Sequence, residues 1–265
     1  MVGFPYALRK ERTVVSDRKK VLVSGASSGI GRATAVRFAS EGWDVCLNAR
    51  REKRLVELQK SFPPGDHLVC PGDYSDVGVI DTMRQTIESK WGKLDALVNS
   101  AGYYFPTHTI NDPVDKWREQ FDVMVNGALY LSRITAPLMK DGGRIIHITS
   151  IQAEGAFTWA SSYSMAKAAI NQYCRALAVE LAPDILVNAI APGGIDTEMS
   201  IMDGVNEFET EEFKKYYVEG PFLPLKRPGR AEEIAGVAWF LAGPDASYIT
   251  GQVLIVDGGW TIALG

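Results

Sequence analysis

In the run SSYSMAKAA, Tyr163 and Lys167 stand four residues apart. On a helix that spacing puts a phenol and an ammonium on one face, with β-carbons roughly 5–6 Å apart, so both can act on one atom. A cation beside a phenol favours the phenolate, which suits general acid–base chemistry on a hydroxyl or carbonyl. A second chemical element lies near the start, where SGASSGIGRA places Gly25, Gly29 and Gly31 around a turn. Glycines there let backbone approach a pyrophosphate, and the N-terminus of a following helix offers free N–H groups.

These residues need elements to position them. The stretch AKAAINQYCRALAVELA is rich in helix formers and free of Gly and Pro until Pro183, which predicts a helix over 161–182 with Tyr163 in its first turn. From Lys20 onward, β-rich runs alternate with helical stretches. VLVSG precedes a helix from Gly29, WDVCLNA one from Glu52, HLVCPG one from about Asp76, and LDALVNS a long one from about Val114. GRIIHITS then leads to the Tyr163 helix, ILVNAIAP to a helix from Ala231, and GQVLIVDGG closes the series. Continuous apolar strands alternating with helices predict an α/β fold, a doubly wound, seven-stranded parallel sheet covered on both faces. In the first helix Ala35, Phe38, Ala39 and Gly42 form a stripe that sits close to the sheet.

Residues 18–265 read as a single domain and residues 1–17 as an N-terminal extension, flexible or in contact with another subunit. The connection between Pro192 and Arg230 is too long for a plain loop, and its part at about 198–227, with one short helix, is expected to be a substrate lid.

Composition narrows the function. The 265 residues carry a formal net charge of -4, with 46% hydrophobic residues. A sequence pI near 5.5 argues against nucleic acid. Cys46, Cys70 and Cys174 are widely spaced and set in apolar runs, as core residues of a cytoplasmic protein are. The first twenty residues contain no apolar run long enough for a secretory signal or membrane span. His67, His108 and His147 are scattered, so no metal site is expected, and no G-x-S-x-G elbow supports a hydrolase reading of Ser150.

The ordered set SGASSGIG, NSAG at 99–102, VNG with Asn126, Ser150, YSMAK and NAIAPGGIDT at 188–197 resembles the short-chain dehydrogenase/reductase family over about residues 20–259. Ser24 and Ser100 depart mildly from its pattern. The resemblance implies an NAD(P)-dependent enzyme that transfers hydride between nicotinamide and a secondary alcohol or carbonyl. Tyr163 would be the general acid/base, with Lys167 lowering its pKa and holding the nicotinamide ribose. Ser150 would bond the substrate oxygen, and Asn126 would support a proton-relay water. Bringing a phenol from pKa ~10 to about 7 requires roughly 4 kcal/mol. A cation about 4 Å away at an effective dielectric of ~20 supplies about that much.

The same resemblance implies cofactor contacts at Gly25, Ser27, Ser28, Gly29, Ile30 and Gly31, at Asp73 for adenine, and at Asn99, Ala101 and Gly102. It further implies Pro192, Gly193 and Ile195 as the nicotinamide wall and Thr197 on the carboxamide. Where NAD-preferring relatives carry an acid, this chain has Ala49, then Arg50 and Arg51. NADP is therefore favoured over NAD, with Arg50 on the 2′-phosphate and with Arg51 and Arg54 read as the solvated start of a helix.

Substrate positions are expected at Gln152, Glu154, Trp159, Tyr103 and the lid. The lid mixes Phe208, Phe213, Tyr216, Tyr217 and Phe222 with six acids between Asp203 and Glu219. That mixture suits a sugar or polyol, and SIQA resembles the sugar-dehydrogenase branch. The main alternative is a 3-oxoacyl reductase acting on an acyl carrier protein. It is disfavoured by the acidic lid and by Ser132 and Val179 where such reductases carry arginines. A non-catalytic cofactor sensor is a more distant alternative. The family implies a homotetramer that pairs the helices beginning near Val114 and Ser161, with DGGW at 257–260 in another subunit contact.

Overall fold

Val21 and Val23 of β1 (Lys20–Ser24) join a core on one face of a sheet, while Leu22 joins a core on the other, and all three are fully buried. A strand that is apolar on both sides must be covered on both. The computed structural model, which describes residues 18–139, 142–155 and 157–263, shows that cover. The expected N-terminal extension lies outside the described residues.

β1 joins β2 (Asp44–Ala49), β3 (Leu68–Pro71), β4 (Ala96–Asn99), β5 (Gly143–Ile148), β6 (Ile185–Pro192) and β7 (Val253–Val256) in one sheet. Its seven strands are all parallel, in the order β3-β2-β1-β4-β5-β6-β7. Chain order reverses between β1 and β4, and such a switch point opens a crevice beyond the strands' carboxyl ends.

One face is covered by α1 (Gly29–Ser40), α2 (Glu52–Lys60) and α7 (Ala231–Ala242), through Phe38, Leu55, Ile234 and Leu241. The other carries α3 (Val77–Trp91), α5 (Gly127–Thr135) and α6 (Ser161–Leu181), through Ile80, Met83, Leu131 and Leu177. Local chemistry sets these limits. Asp76 accepts the backbone N–H groups of Gly78 and Val79 at the start of α3, and Gly92 ends that helix in the left-handed region at φ 67.

Three expectations change. Ala35, Phe38 and Ala39 are buried on α1, but Gly42 lies beyond the helix in a turn at φ 83, with open space where a side chain would stand. The stripe therefore ends at Ala39. The long helix from Val114 is interrupted: α4 (Val114–Phe121) passes into a π-helical turn at Asp122–Asn126 before α5. No Gly or Pro marks that turn in the sequence, and such turns often occur at functional sites. The lid is also more structured than expected. It holds a hairpin pairing Ile201–Met202 with Val205–Asn206, then a helical stretch from Glu211 to Glu219. Asp203 and Gly204 take φ 51 and 81 in the hairpin turn, as an Asp-Gly pair readily does. The lid's base is clasped where Ile195–Asp196 pairs with Gly229–Arg230.

Candidate active site

At the carboxyl ends of β1 and β4 opens a cleft of about 850 Å³. Ser24 ties its two sides together, its hydroxyl accepting the N–H groups of Ser100 and Ala101 at 3.1 and 3.2 Å. Gly25 must be glycine because it sits at φ 68, where a Cβ would lie 2.8 Å from Ala101 Cα. A Cβ on Gly31 would strike the Gly25 carbonyl. Gly25, Ser27, Ser28, Gly29, Ile30 and Gly31 line this end with Arg50, Arg51 and Asp73.

The other half is built by α6 and β5. Tyr163 and Lys167 occupy successive turns of one helix face and are buried, at 8% and 4% exposure. The Lys167 ammonium donates to the Ile148 carbonyl at 2.8 Å and lies 5.5 Å from the centre of the Tyr163 ring. Ser150 follows β5, and its hydroxyl oxygen accepts the Gln152 N–H at 3.1 Å. The Ser150 O–H is left for another acceptor, and it acts on the Tyr163 phenol.

The expected lowering of the phenol by Lys167 is not what these residues produce on their own. Burial pushes Tyr163 up to about 12, with Ser150 pulling the other way and Tyr104 adding to the rise. Burial brings Lys167 down to about 8. Burial desolvates both groups, which disfavours the charged form of each and so raises the phenol and lowers the ammonium. His147, fully buried beneath the site on β5, is lowered to about 3 by burial and by the Lys167 charge.

Most of the expected residues line the cleft: Ser150, Tyr163, Lys167, Asp73, Ala101, Gly102, Pro192, Gly193, Ile195, Thr197, Gln152 and Tyr103. Tyr103 stacks on Phe105 with ring centres 5.6 Å apart, and burial and Glu119, with Asp73, raise its phenol while Arg50 lowers it. Four others do not line it. Asn99 is buried below the floor, donating to Ser132 Oγ at 3.2 Å and bonded to His147 Nδ1 at 3.3 Å. Asn126 ends the π-helical turn and donates to Asp122 at 2.7 Å. Glu154 turns to α6 and accepts from Asn171 at 3.0 Å. Trp159 is 61% exposed, its backbone held at φ 58 while its carbonyl accepts the Thr107 N–H. Nearness to a motif in sequence does not fix the direction of a side chain.

Arg51 and Arg54, read as merely solvated, are engaged. Arg51 donates to Ser27 Oγ at 2.9 Å, Ser28 Oγ at 2.7 Å and Glu198 at 3.0 Å, while Arg54 holds the same carboxylate at 2.6 Å. Arg50 is 70% exposed and pairs with Asp73 at 3.9 Å. Tyr104, next to a residue that sequence reasoning did select, packs edge-on to Tyr163 with ring centres 5.4 Å apart. Trp260, expected at a subunit contact, lines the cleft and packs on Tyr217 at 4.6 Å. Of the lid aromatics, Phe208, Phe213 and Tyr217 reach the cleft, whereas Tyr216 and Phe222 do not.

A phenol, an ammonium and a hydroxyl converging on a cleft whose far end is a glycine-rich turn at the start of α1 fit a nicotinamide dinucleotide and an alcohol. A family model described as "Enoyl-(Acyl carrier protein) reductase" matches residues 25–261. The chain belongs to the short-chain dehydrogenase/reductase family. This dehydrogenase/reductase is 38% identical to glucose 1-dehydrogenase of Gluconobacter oxydans over 92% of each chain. It matches the structure of a short-chain dehydrogenase/reductase from Serratia marcescens with a TM-score of 0.84 and 35% identity, covering 92% of this chain and 98% of that one. A 7α-hydroxysteroid dehydrogenase complexed with NADH and 7-oxoglycochenodeoxycholic acid gives a TM-score of 0.82 and 32% identity, covering 91% and 94%. The enzyme is therefore an oxidoreductase acting between CH–OH and C=O with a nicotinamide cofactor. That cofactor, when bound, supplies or accepts the hydride. Among the described residues, no helix is long and apolar enough to cross a membrane.

Proposed function

We propose that the enzyme interconverts a secondary alcohol and a ketone on a sugar, polyol or related polar hydroxy compound, with NADP preferred. Tyr163 exchanges the proton with the substrate oxygen, Ser150 holds that oxygen, and Lys167 holds the nicotinamide ribose and steadies the phenolate. The observation that carries this reading is the buried Tyr163–Lys167 pair beside Ser150, facing a cleft walled by Trp260, Tyr217 and Phe213. Flat aromatic faces with a few polar groups suit the C–H faces and hydroxyls of a carbohydrate. The likeness to a glucose 1-dehydrogenase supports the same substrate class. The test is nicotinamide absorbance with NADP or NAD against aldoses, polyols and 3-oxoacyl esters. Turnover on sugars or polyols is expected, and activity confined to 3-oxoacyl esters would overturn the substrate class. The exposed acids Asp203, Glu209, Glu211, Glu212 and Glu219 on the lid disfavour docking of an acidic carrier protein.

The NADP preference rests on Arg51 more than on Arg50. Its guanidinium already spans Ser27 and Ser28 of the phosphate turn, beside Ala49 where an acid would favour NAD. Its present partner Glu198 is 53% exposed, so a 2′-phosphate competes with a pair weakened by solvent. Arg51→Ala is expected to weaken NADPH binding about ten- to a hundredfold, as loss of charged hydrogen bonds does. NADH should change less than about threefold. An unchanged ratio in fluorescence titrations would remove Arg51 from this role. We place the enzyme in the cytoplasm, in keeping with its three buried free cysteines. We also infer a homotetramer, in keeping with Val179 and Met165 exposed at 82% and 52% along α6.

A further inference from the structure

The helix that carries Tyr163 begins without a cap of its own. Ala160 precedes α6 and its methyl offers no acceptor, so the first N–H groups of the helix need partners from elsewhere. The first intrahelical bond runs from the Ser164 N–H to the Ala160 carbonyl at 2.8 Å, one residue past Tyr163. Thr107, 55 residues before Ser162, supplies what is missing. It pairs with Ala160 in a parallel bridge and donates its N–H to the Trp159 carbonyl at 2.8 Å. Its Oγ1 accepts the Ser162 N–H at 3.5 Å and lies 2.9 Å from Ser162 Oγ. Ser162 gives its single hydroxyl proton to Gln120 Oε1, so Thr107 is the donor between the two hydroxyls. Thr107, Gln120 and Ser162 are all fully buried, and none of them lines the cleft.

Two features give these bonds a purpose beyond packing. Gln120 is the one buried residue of α4, and its Nε2 has no partner among the described residues. An apolar side chain would be buried there at lower cost, so the bond to Ser162 is what the amide contributes. Trp159 is held at φ 58, where non-glycine residues rarely sit, and the bond from Thr107 fixes its carbonyl in that conformation. The same segment also holds the ring, since Tyr104 packs edge-on against Tyr163. We propose that Thr107, Ser162 and Gln120 form the missing cap of α6 and position the Tyr163 phenol through the backbone of its first turn. They are positioning residues, and the inference rests on Tyr163 as the group that exchanges the proton. A misplacement of about 1 Å at a reacting atom is enough to cost about a hundredfold in rate.

Two substitutions at one position separate hydroxyl from shape. Thr107→Val keeps the shape and removes the hydroxyl, whereas Thr107→Ser keeps the hydroxyl and removes the methyl. With the aldose or polyol turned over fastest, Thr107→Val is expected to lower kcat about ten- to a hundredfold. KM and NADPH affinity should stay within about threefold, and Thr107→Ser should keep kcat within about threefold of the wild type. Amide exchange at 161–164 should quicken in Thr107→Val and not in Thr107→Ser. In a Ser162→Ala background, Thr107→Val should add little, because both act through one bonded unit. A lower melting temperature in Thr107→Val with kcat unchanged, or equal losses in the two variants, overturns the proposal. If Thr107→Val does not fold, Gln120→Met removes the other end of the bonded row, with the same loss expected and the same result decisive. Turnover that survives Tyr163→Phe would overturn the catalytic reading, and exchange at 161–164 would still decide whether Thr107 caps the helix.

Discussion

Tyr163→Phe is expected to lower kcat/KM about 10²–10⁴-fold, the usual contribution of a positioned acid or base. Cofactor affinity, measured by fluorescence titration, should stay within about threefold, since the ring and its packing against Tyr104 survive. The substitution removes only the oxygen proposed to exchange the proton. The pH profile carries the same signature. With Tyr163 pushed up to about 12, the phenol is protonated near neutrality and ready to donate, so reduction should be nearly flat there. Oxidation needs the phenolate, so its rate should climb with pH from neutrality upward. Lys167 blunts the climb, because it loses its charge as pH rises through about 8 and then no longer favours the phenolate. In Tyr163→Phe the residual oxidation should lose this pH dependence. A variant that keeps both rate and profile would assign the proton transfer to another group.

Gly31→Ala is expected to weaken dinucleotide binding about ten- to a hundredfold. The added methyl would stand 2.7 Å from the Gly25 carbonyl carbon and 3.1 Å from the Ser24 carbonyl oxygen, all of it backbone that cannot rotate away. Either α1 tilts outward or the turn after β1 opens, and Gly25 has no slack because it already lies against Ala101. Overpacking of this kind costs about 1–3 kcal/mol. The strain falls on the turn proposed to hold a pyrophosphate, so it should appear as lost affinity along with a melting temperature a few degrees lower. Calorimetric titration with NADPH and a thermal melt would measure both. Unaltered affinity would mean that the cofactor does not rely on this turn.

The residues behind both predictions are legible in the sequence because their geometry is local. Tyr163 and Lys167 meet through one turn of helix, and the glycines crowd one another within a single strand–helix junction. The parallel sheet covered on both faces is legible in apolar runs long enough to be buried on both sides, whereas the order of its strands is not. Other features depend on contacts far apart in the chain. Glu198 meets Arg51 across 147 positions, and Trp260 meets Tyr217 only after the lid has folded back. Nor can neighbouring arginines be told apart when backbone direction decides that Arg51 reaches Ser28 and Arg50 reaches Asp73. Asn126 illustrates the reverse case. Its motif was visible, but the π-helical turn that redirects its side chain to Asp122 has no marker in the sequence.

The clasp between Ile195–Asp196 and Gly229–Arg230 separates two kinds of change. It holds the ends of the lid side by side, and Arg227 reinforces it through Glu233 at 2.7 Å. With the ends fixed, the entropy of closing the intervening chain grows only logarithmically with its length, about 0.6 kcal/mol per doubling. Changes in the hairpin and helical stretch between these anchors therefore leave Tyr163, Lys167 and Ser150 almost undisturbed, provided that Thr197 and Glu198, which line the cleft just past the first anchor, are kept. The segment beyond Glu198 is then expected to behave as an exchangeable cassette, open to new sequences without redesign of the buried pair on α6.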